Sequence, residues 1–199
     1  MIVRHSAINR FCHWVNAIAI FILIFSGFYI NSPESFSIFK NMDNARGFHF
    51  AFAYLLIFGF VLRLVFGYIN KEGKDLIFRP IRDTLWMPSL AKYYLFLSDT
   101  HPDYGKYNPG QRGMYTGLIL FVFLQILTGF ILLFPNSFVG LAGFFGGYIV
   151  VRLIHLYLTW IFVLCILVHV YLDLAEGLPG LKSMFTGKIP EDFHGSAHK

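Results

Sequence analysis

The sequence predicts an all-α integral membrane protein, a bundle of four transmembrane helices, and three observations carry that prediction. First, the 199 residues are 56% hydrophobic and 19% aromatic but only 14% charged. Mean hydropathy is +0.60, whereas a soluble domain of this size needs more polar surface. Second, four apolar stretches lie at about residues 11–30, 47–69, 114–134 and 148–175. Each holds about 20 residues or more, enough to cross a hydrocarbon core of about 30 Å at about 1.5 Å per residue.

Third, lysine and arginine are unevenly placed. Arg4 and Arg10, then Lys71, Lys74, Arg79, Arg82, Lys92, Lys106 and Arg112, then Lys182, Lys188 and Lys199 all fall on one side of a four-span topology. The other side has only Lys40 and the helix-start residues Arg46 and Arg152. The positive-inside rule therefore places both termini in the cytoplasm of a multi-pass protein of the cell inner membrane. The net charge of +5 follows from this bias. No basic stripe is interleaved with exposed aromatics, so the charge predicts a lipid surface and no nucleic-acid partner.

The elements follow in order within one membrane domain, 1–199. The first apolar stretch follows Arg4 and Arg10 as a signal peptide does. Its run is too long and no small-x-small site follows it, so it reads as a retained anchor. The outer loops are short, Asn31 to Ala45 and Pro135 to Gly147. The second is uncharged and glycine-rich (GLAGFFGG), suited either to contact with another subunit or to a tight turn. Residues 70–113 form a cytoplasmic segment in which Leu85, Trp86, Leu90, Tyr93, Tyr94 and Leu97 are spaced for a short amphipathic helix lying in the interface. A solvated loop with a helical turn or two is the alternative.

The fourth stretch, VRLIHLYLTWIFVLCILVHVY, carries His155 and His169. Fourteen residues rotate an α-helix to within about 40° of the starting direction and advance it by about 21 Å, so both rings face one side at two depths. The topology puts His13, near the start of helix 1, at the depth of His169. It puts His49, at the start of helix 2, at the depth of His155. A lone membrane histidine is more often a buried neutral ring with one hydrogen bond. Two pairs at matched depths are harder to attribute to that, and imidazole is a good iron ligand. The arrangement predicts two bis-histidine haems b, His13 with His169 and His49 with His155.

Arginine precedes three of these histidines by three residues, Arg10, Arg46 and Arg152, on the membrane-surface side of each. A guanidinium there forks onto a haem propionate, or simply snorkels to the surface. Cys12 and Cys165 both lie in predicted helices, and no C-x-x-C-H is present, so a haem would be held by coordination alone. Zinc wants about four converging ligands, and a proton relay wants a ladder of titratable groups that the helix centres lack.

INRFCHW, ARGFHF, YGKYNPGQR and VVRLIHLYLTWIFVLCILVHVY together resemble the cytochrome b (gamma) subunit of membrane-bound formate dehydrogenases, over about residues 1 to 190. That family is related to the b-type cytochromes of nickel-iron hydrogenases. The resemblance implies a four-helix subunit with two haems b that takes electrons from an iron-sulfur subunit, itself bound to a catalytic subunit, on the outer side. It also implies reduction of a quinone, usually menaquinone, on the cytoplasmic side, within a complex that can form a higher oligomer. It assigns the outer haem to His49 and His155, the inner haem to His13 and His169, and a quinone site beside the inner haem to Asn108, Gly110 and Gln111. Amides suit a quinone carbonyl, although Asn-Pro-Gly is equally a turn signal. Asp173 and Glu176, just after His169, suggest proton delivery or a solvated helix end. Two other readings stay open: the cytochrome b of a hydrogenase or another respiratory oxidoreductase, and a structural anchor without electron transfer.

Overall fold

The computed structural model describes residues 1–36, 38–70, 77–95, 97–98, 104, 108–175 and 178–190. Glu176 and the Gly105, Lys106 and Tyr107 part of the YGKYNPGQR motif lie outside the described residues. The elements are β1 (Ile2–Val3), α1 (Ala7–Asn31), α2 (Met42–Ile69), α3 (Pro80–Tyr94), α4 (Pro109–Leu133), α5 (Val139–Phe144), α6 (Tyr148–Ala175), α7 (Leu178–Thr186) and β2 (Lys188–Ile189). Four of these helices, α1, α2, α4 and α6, are long and apolar enough to cross a membrane.

Three of the four begin four to five residues before their apolar runs, and the reason is capping. Ser6 accepts a hydrogen bond from the Asn9 N–H at 3.3 Å, and Asn41 accepts one from the Asn44 N–H at 2.8 Å. At Asn108 the cap is reciprocal. Its Oδ1 accepts from the Gln111 N–H at 2.8 Å, and the Gln111 Oε1 accepts from the Asn108 N–H at 3.1 Å. Each cap satisfies helix-start N–H groups that lack an intrahelical acceptor. The fourth helix, α6, starts instead from a turn at Gly146 and Gly147, whose φ values of 93° and 100° suit glycine. The loop before that turn is not plain, for it holds α5.

Chain contacts divide the protein into two compact units, Met1–Val65 with Thr128–Lys199, and Phe66–Leu127. In the first unit α1 and α2 run antiparallel. Asn16 meets Gly59, where an added Cβ would fall 2.2 Å from the Asn16 Oδ1, and Gly27 meets His49 one leaflet further along. Glycine at 59 lets the two backbones approach closely. Phe28 of α1 packs on Trp160 of α6 with ring centroids 4.7 Å apart. The outward faces stay apolar, with Phe58 61% and Leu167 62% exposed, as lipid contact requires.

The C-terminal segment of this unit folds back on the start of α1. The Trp14 indole N–H donates to the Met184 carbonyl at 3.0 Å, and its ring lies 4.5 Å from Phe185. Strands β1 and β2 pair antiparallel, Ile2 opposite Ile189 and Val3 opposite Lys188. Gly187, at φ 78°, makes the turn between α7 and β2.

The second unit contains α3. Its Pro80 sits at the first helical turn, where a missing N–H costs nothing. Leu90 and Asp83 form its buried face, whereas Ile81 and Leu85 are 81% and 73% exposed. The Arg82 guanidinium lies 4.1 Å from the Trp86 ring centre, within cation–π range. The Phe78 N–H donates to Thr116 Oγ1 of α4 at 2.8 Å.

Two histidine pairs as the candidate functional site

All four histidines belong to the first unit, and the structure brings them together as two pairs. His13 of α1 faces His169 of α6 with ring centroids 6.3 Å apart and planes at 64°. His49 of α2 faces His155 of α6 at 6.3 Å and 63°. Two pairs, each joining α6 to a different helix, thus share one geometry.

That spacing can be tested against what lies between the rings. A direct N–H···N contact of about 2.9 Å, plus about 1.1 Å from each nitrogen to its ring centre, would bring centroids to about 5 Å. A metal bonded at about 2.0 Å to each imidazole nitrogen sets them at about 6.3 Å. The observed distance is too long for the first and right for the second, so both pairs fit an iron clamped between two imidazoles. Among the described residues no group of three or more His, Cys, Asp or Glu converges as a metal site.

The surroundings of His49 and His155 repeat each other. Ser26 Oγ of α1 lies 2.9 Å from His49 Nδ1, and Thr128 Oγ1 of α4 lies 2.8 Å from His155 Nδ1. The residue after each hydroxyl is glycine. An added Cβ at Gly27 would stand 3.4 Å from His49 Cε1, and one at Gly129 would stand 3.5 Å from His155 Cε1. Hence all four long helices contribute at this level, α4 through Thr128 and Gly129.

The arginines differ among themselves. Arg10 is half-buried and its Nη1 donates to the Phe185 carbonyl, while its Nε is buried with no hydrogen-bond partner among the described residues. That leaves a donor beside the His13 pair for a carboxylate. Arg46 and Arg152 are exposed.

Asn108, Gly110 and Gln111 lie in the second unit. The amide oxygens of Asn108 and Gln111 are used in the reciprocal cap of α4, and the Asn108 Nδ2 is 3.5 Å from the Tyr94 hydroxyl. A Cβ at Gly110 would approach Leu90 to 3.2 Å, so glycine there serves the packing of α3. The next residue, Arg112, makes a buried fork onto Asp83, with Nη2 at 2.7 Å and Nε at 3.0 Å. Burial pushes the Asp83 carboxyl up. The Arg112 hydrogen bonds, the Arg79 N–H and both guanidinium charges outweigh it and hold the carboxyl below the usual range.

Asp173 packs against α7, where a Cβ at Gly180 would come within 3.1 Å of its Oδ1. Sequence reasoning missed Ser26, Thr128 and Asp83. The first two carry a readable signal, a hydroxyl followed by glycine inside an apolar run. Asp83 carries none, because its partner is 29 residues away.

A family model described as prokaryotic cytochrome b561 matches residues 4–187. The probable Ni/Fe-hydrogenase B-type cytochrome subunit of Azotobacter vinelandii is 29% identical, over 93% of this chain and 85% of that protein. The protein of the same description from Cupriavidus necator is 30% identical, over 93% and 84%. The nitrate-inducible formate dehydrogenase cytochrome b556(Fdn) subunit of Escherichia coli K12 is 28% identical, over 95% and 84%.

Proposed function

The chain belongs to the prokaryotic cytochrome b561 family, and from that premise we propose that it is the electron-transfer and anchor subunit of a respiratory oxidoreductase complex. It holds two haems b and delivers electrons to a quinone. The observation that carries this is the repeated pair geometry, 6.3 Å at 64° and 6.3 Å at 63°. His155 and His169 lie on one face of α6 about 21 Å apart along the axis.

His13 and His169 hold one haem, His49 and His155 the other. When bound, the haems supply one-electron redox chemistry at two depths, which lets charge cross the membrane. Arg10, with its unpartnered Nε, orients a propionate at the first; Arg46 and Arg152 serve the second from the surface. The apolar outer faces of α1, α2, α4 and α6 anchor the complex in lipid.

The electron donor is an iron-sulfur subunit on the outer side, coupled to a catalytic subunit that oxidises formate. The YGKYNPGQR motif favours formate. Dihydrogen is the second reading, favoured by relatives described as hydrogenase cytochrome subunits at up to 30% identity. Quinone, most simply menaquinone, is reduced on the cytoplasmic side. The Asn108, Gly110 and Gln111 turn is its site: the α4 cap uses both amide oxygens, the Asn108 NH2 donates to the Tyr94 hydroxyl at 3.5 Å, and the Gln111 NH2 lies outside the cap. Asp173, just after His169, helps deliver protons to the reduced quinone.

The test is haem quantification per chain with His→Ala at each of the four positions. Two haems in the parent and one in each single variant is the expected result. A parent without the sharp reduced b-haem band is a structural anchor, and the proposal fails. Co-purification of a molybdenum or tungsten subunit selects formate, of a nickel subunit hydrogen.

A further inference from the structure

We infer that Ser26 and Thr128 are positioning residues that make the His49–His155 haem the lower-potential one of the two. This rests on the di-haem reading above and adds an order to it.

The Ser26 hydroxyl has one proton, and the Ile22 carbonyl lies 2.7 Å from Oγ, closer than the Leu23 carbonyl at 3.2 Å. With the proton donated to Ile22, the Oγ lone pairs face His49 Nδ1 at 2.9 Å. Nδ1 must then carry the ring hydrogen and donate it, which leaves Nε2 with the lone pair for a metal. Thr128 Oγ1 lies at the matching distance from His155 Nδ1, 2.8 Å, and accepts from it once Nε2 is given to a metal. Gly27 and Gly129 let the two rings sit against the helices that carry these hydroxyls.

An imidazole that donates from Nδ1 is a more basic ligand at Nε2. A more basic ligand favours ferric over ferrous iron and so lowers the reduction potential. Among the described residues the other pair shows no such arrangement. Among the described residues, ring contacts to His13 come from Trp14 and His169, and neither adds a hydroxyl acceptor. The two sites share ring spacing and angle but differ in what the far nitrogens meet. Electrons therefore run downhill from the His49–His155 level to the His13–His169 level.

The experiment is a potentiometric titration of both haem waves in the full complex, with each wave assigned by its loss in His49→Ala or His13→Ala. Thr128→Val is isosteric without the hydroxyl, Ser26→Ala removes the other, and Thr128→Ser restores an acceptor. A change of about tenfold in the ferric to ferrous ratio is a 59 mV upward shift for one electron. Expected is that shift in the His49–His155 wave alone for Thr128→Val and for Ser26→Ala, with Thr128→Ser close to the parent. Unmoved waves, equal movement of both waves, or loss of that haem in Thr128→Val overturns the inference, the last by showing a scaffold role. A parent with fewer than two haems would instead sink the function it rests on.

Discussion

Removing one charge of the Asp83–Arg112 pair is expected to loosen the second unit by several kcal/mol. Asp83 is fully buried and Arg112 is 4% exposed. The carboxylate accepts the Arg112 fork at 2.7 and 3.0 Å, and its Oδ2 also accepts the Arg79 backbone N–H at 2.7 Å, closing the first turn of α3. Asp83→Asn keeps the shape, drops the charge and turns an NH2 toward a guanidinium. The guanidinium then loses its buried counter-charge, and breaking such a pair costs about 3–5 kcal/mol. At about 2–4 °C per kcal/mol for a chain this long, melting falls by about 10 °C.

Replacing both partners with apolar residues, Asp83→Leu with Arg112→Met, removes the stranded charge and restores most of the loss. The assay is thermal unfolding in detergent of the parent, the two single variants and the double variant. Single-variant losses below about 1 kcal/mol, or a double variant as unstable as the sum of the singles, would refute the argument. The pH dependence has a definite sign. A carboxyl held low in the fold contributes stability that is present above its unfolded value of about 3.9 and lost as pH falls through the folded one. The parent should therefore lose this contribution only in acid. Arg112→Met removes the leading influence opposing burial, so its carboxyl rises and that acid loss disappears.

Asn108→Ala breaks the α4 cap and should lower stability by about 1 kcal/mol in a melting experiment, with slowed quinone reduction if the turn also binds quinone. Gly129→Leu pushes a side chain into the ring of His155, whose Cε1 is already 3.5 Å from where a Cβ would stand. It should cost one haem of two by pyridine haemochrome assay and leave the His13–His169 spectrum intact. Asp173→Asn should slow quinone reduction while both haem bands stay normal; unchanged turnover would return Asp173 to a plain helix end.

Hydropathy and spacing along the chain were enough to determine four spanning helices and the depth matching of His13 with His169 and of His49 with His155. Both follow from helical rise and rotation, which are local properties of the backbone. Helix starts were not legible from apolar runs, because polar caps at Ser6, Asn41 and Asn108 lie outside those runs. The tertiary structure alone decided which neighbours the rings have. Ser26 reaches His49 from 23 positions away, Thr128 reaches His155 from 27, and Asp83 reaches Arg112 from 29. No periodicity encodes such pairs, since a hydrogen bond between helices depends on their mutual rotation and offset, which only side-chain packing sets.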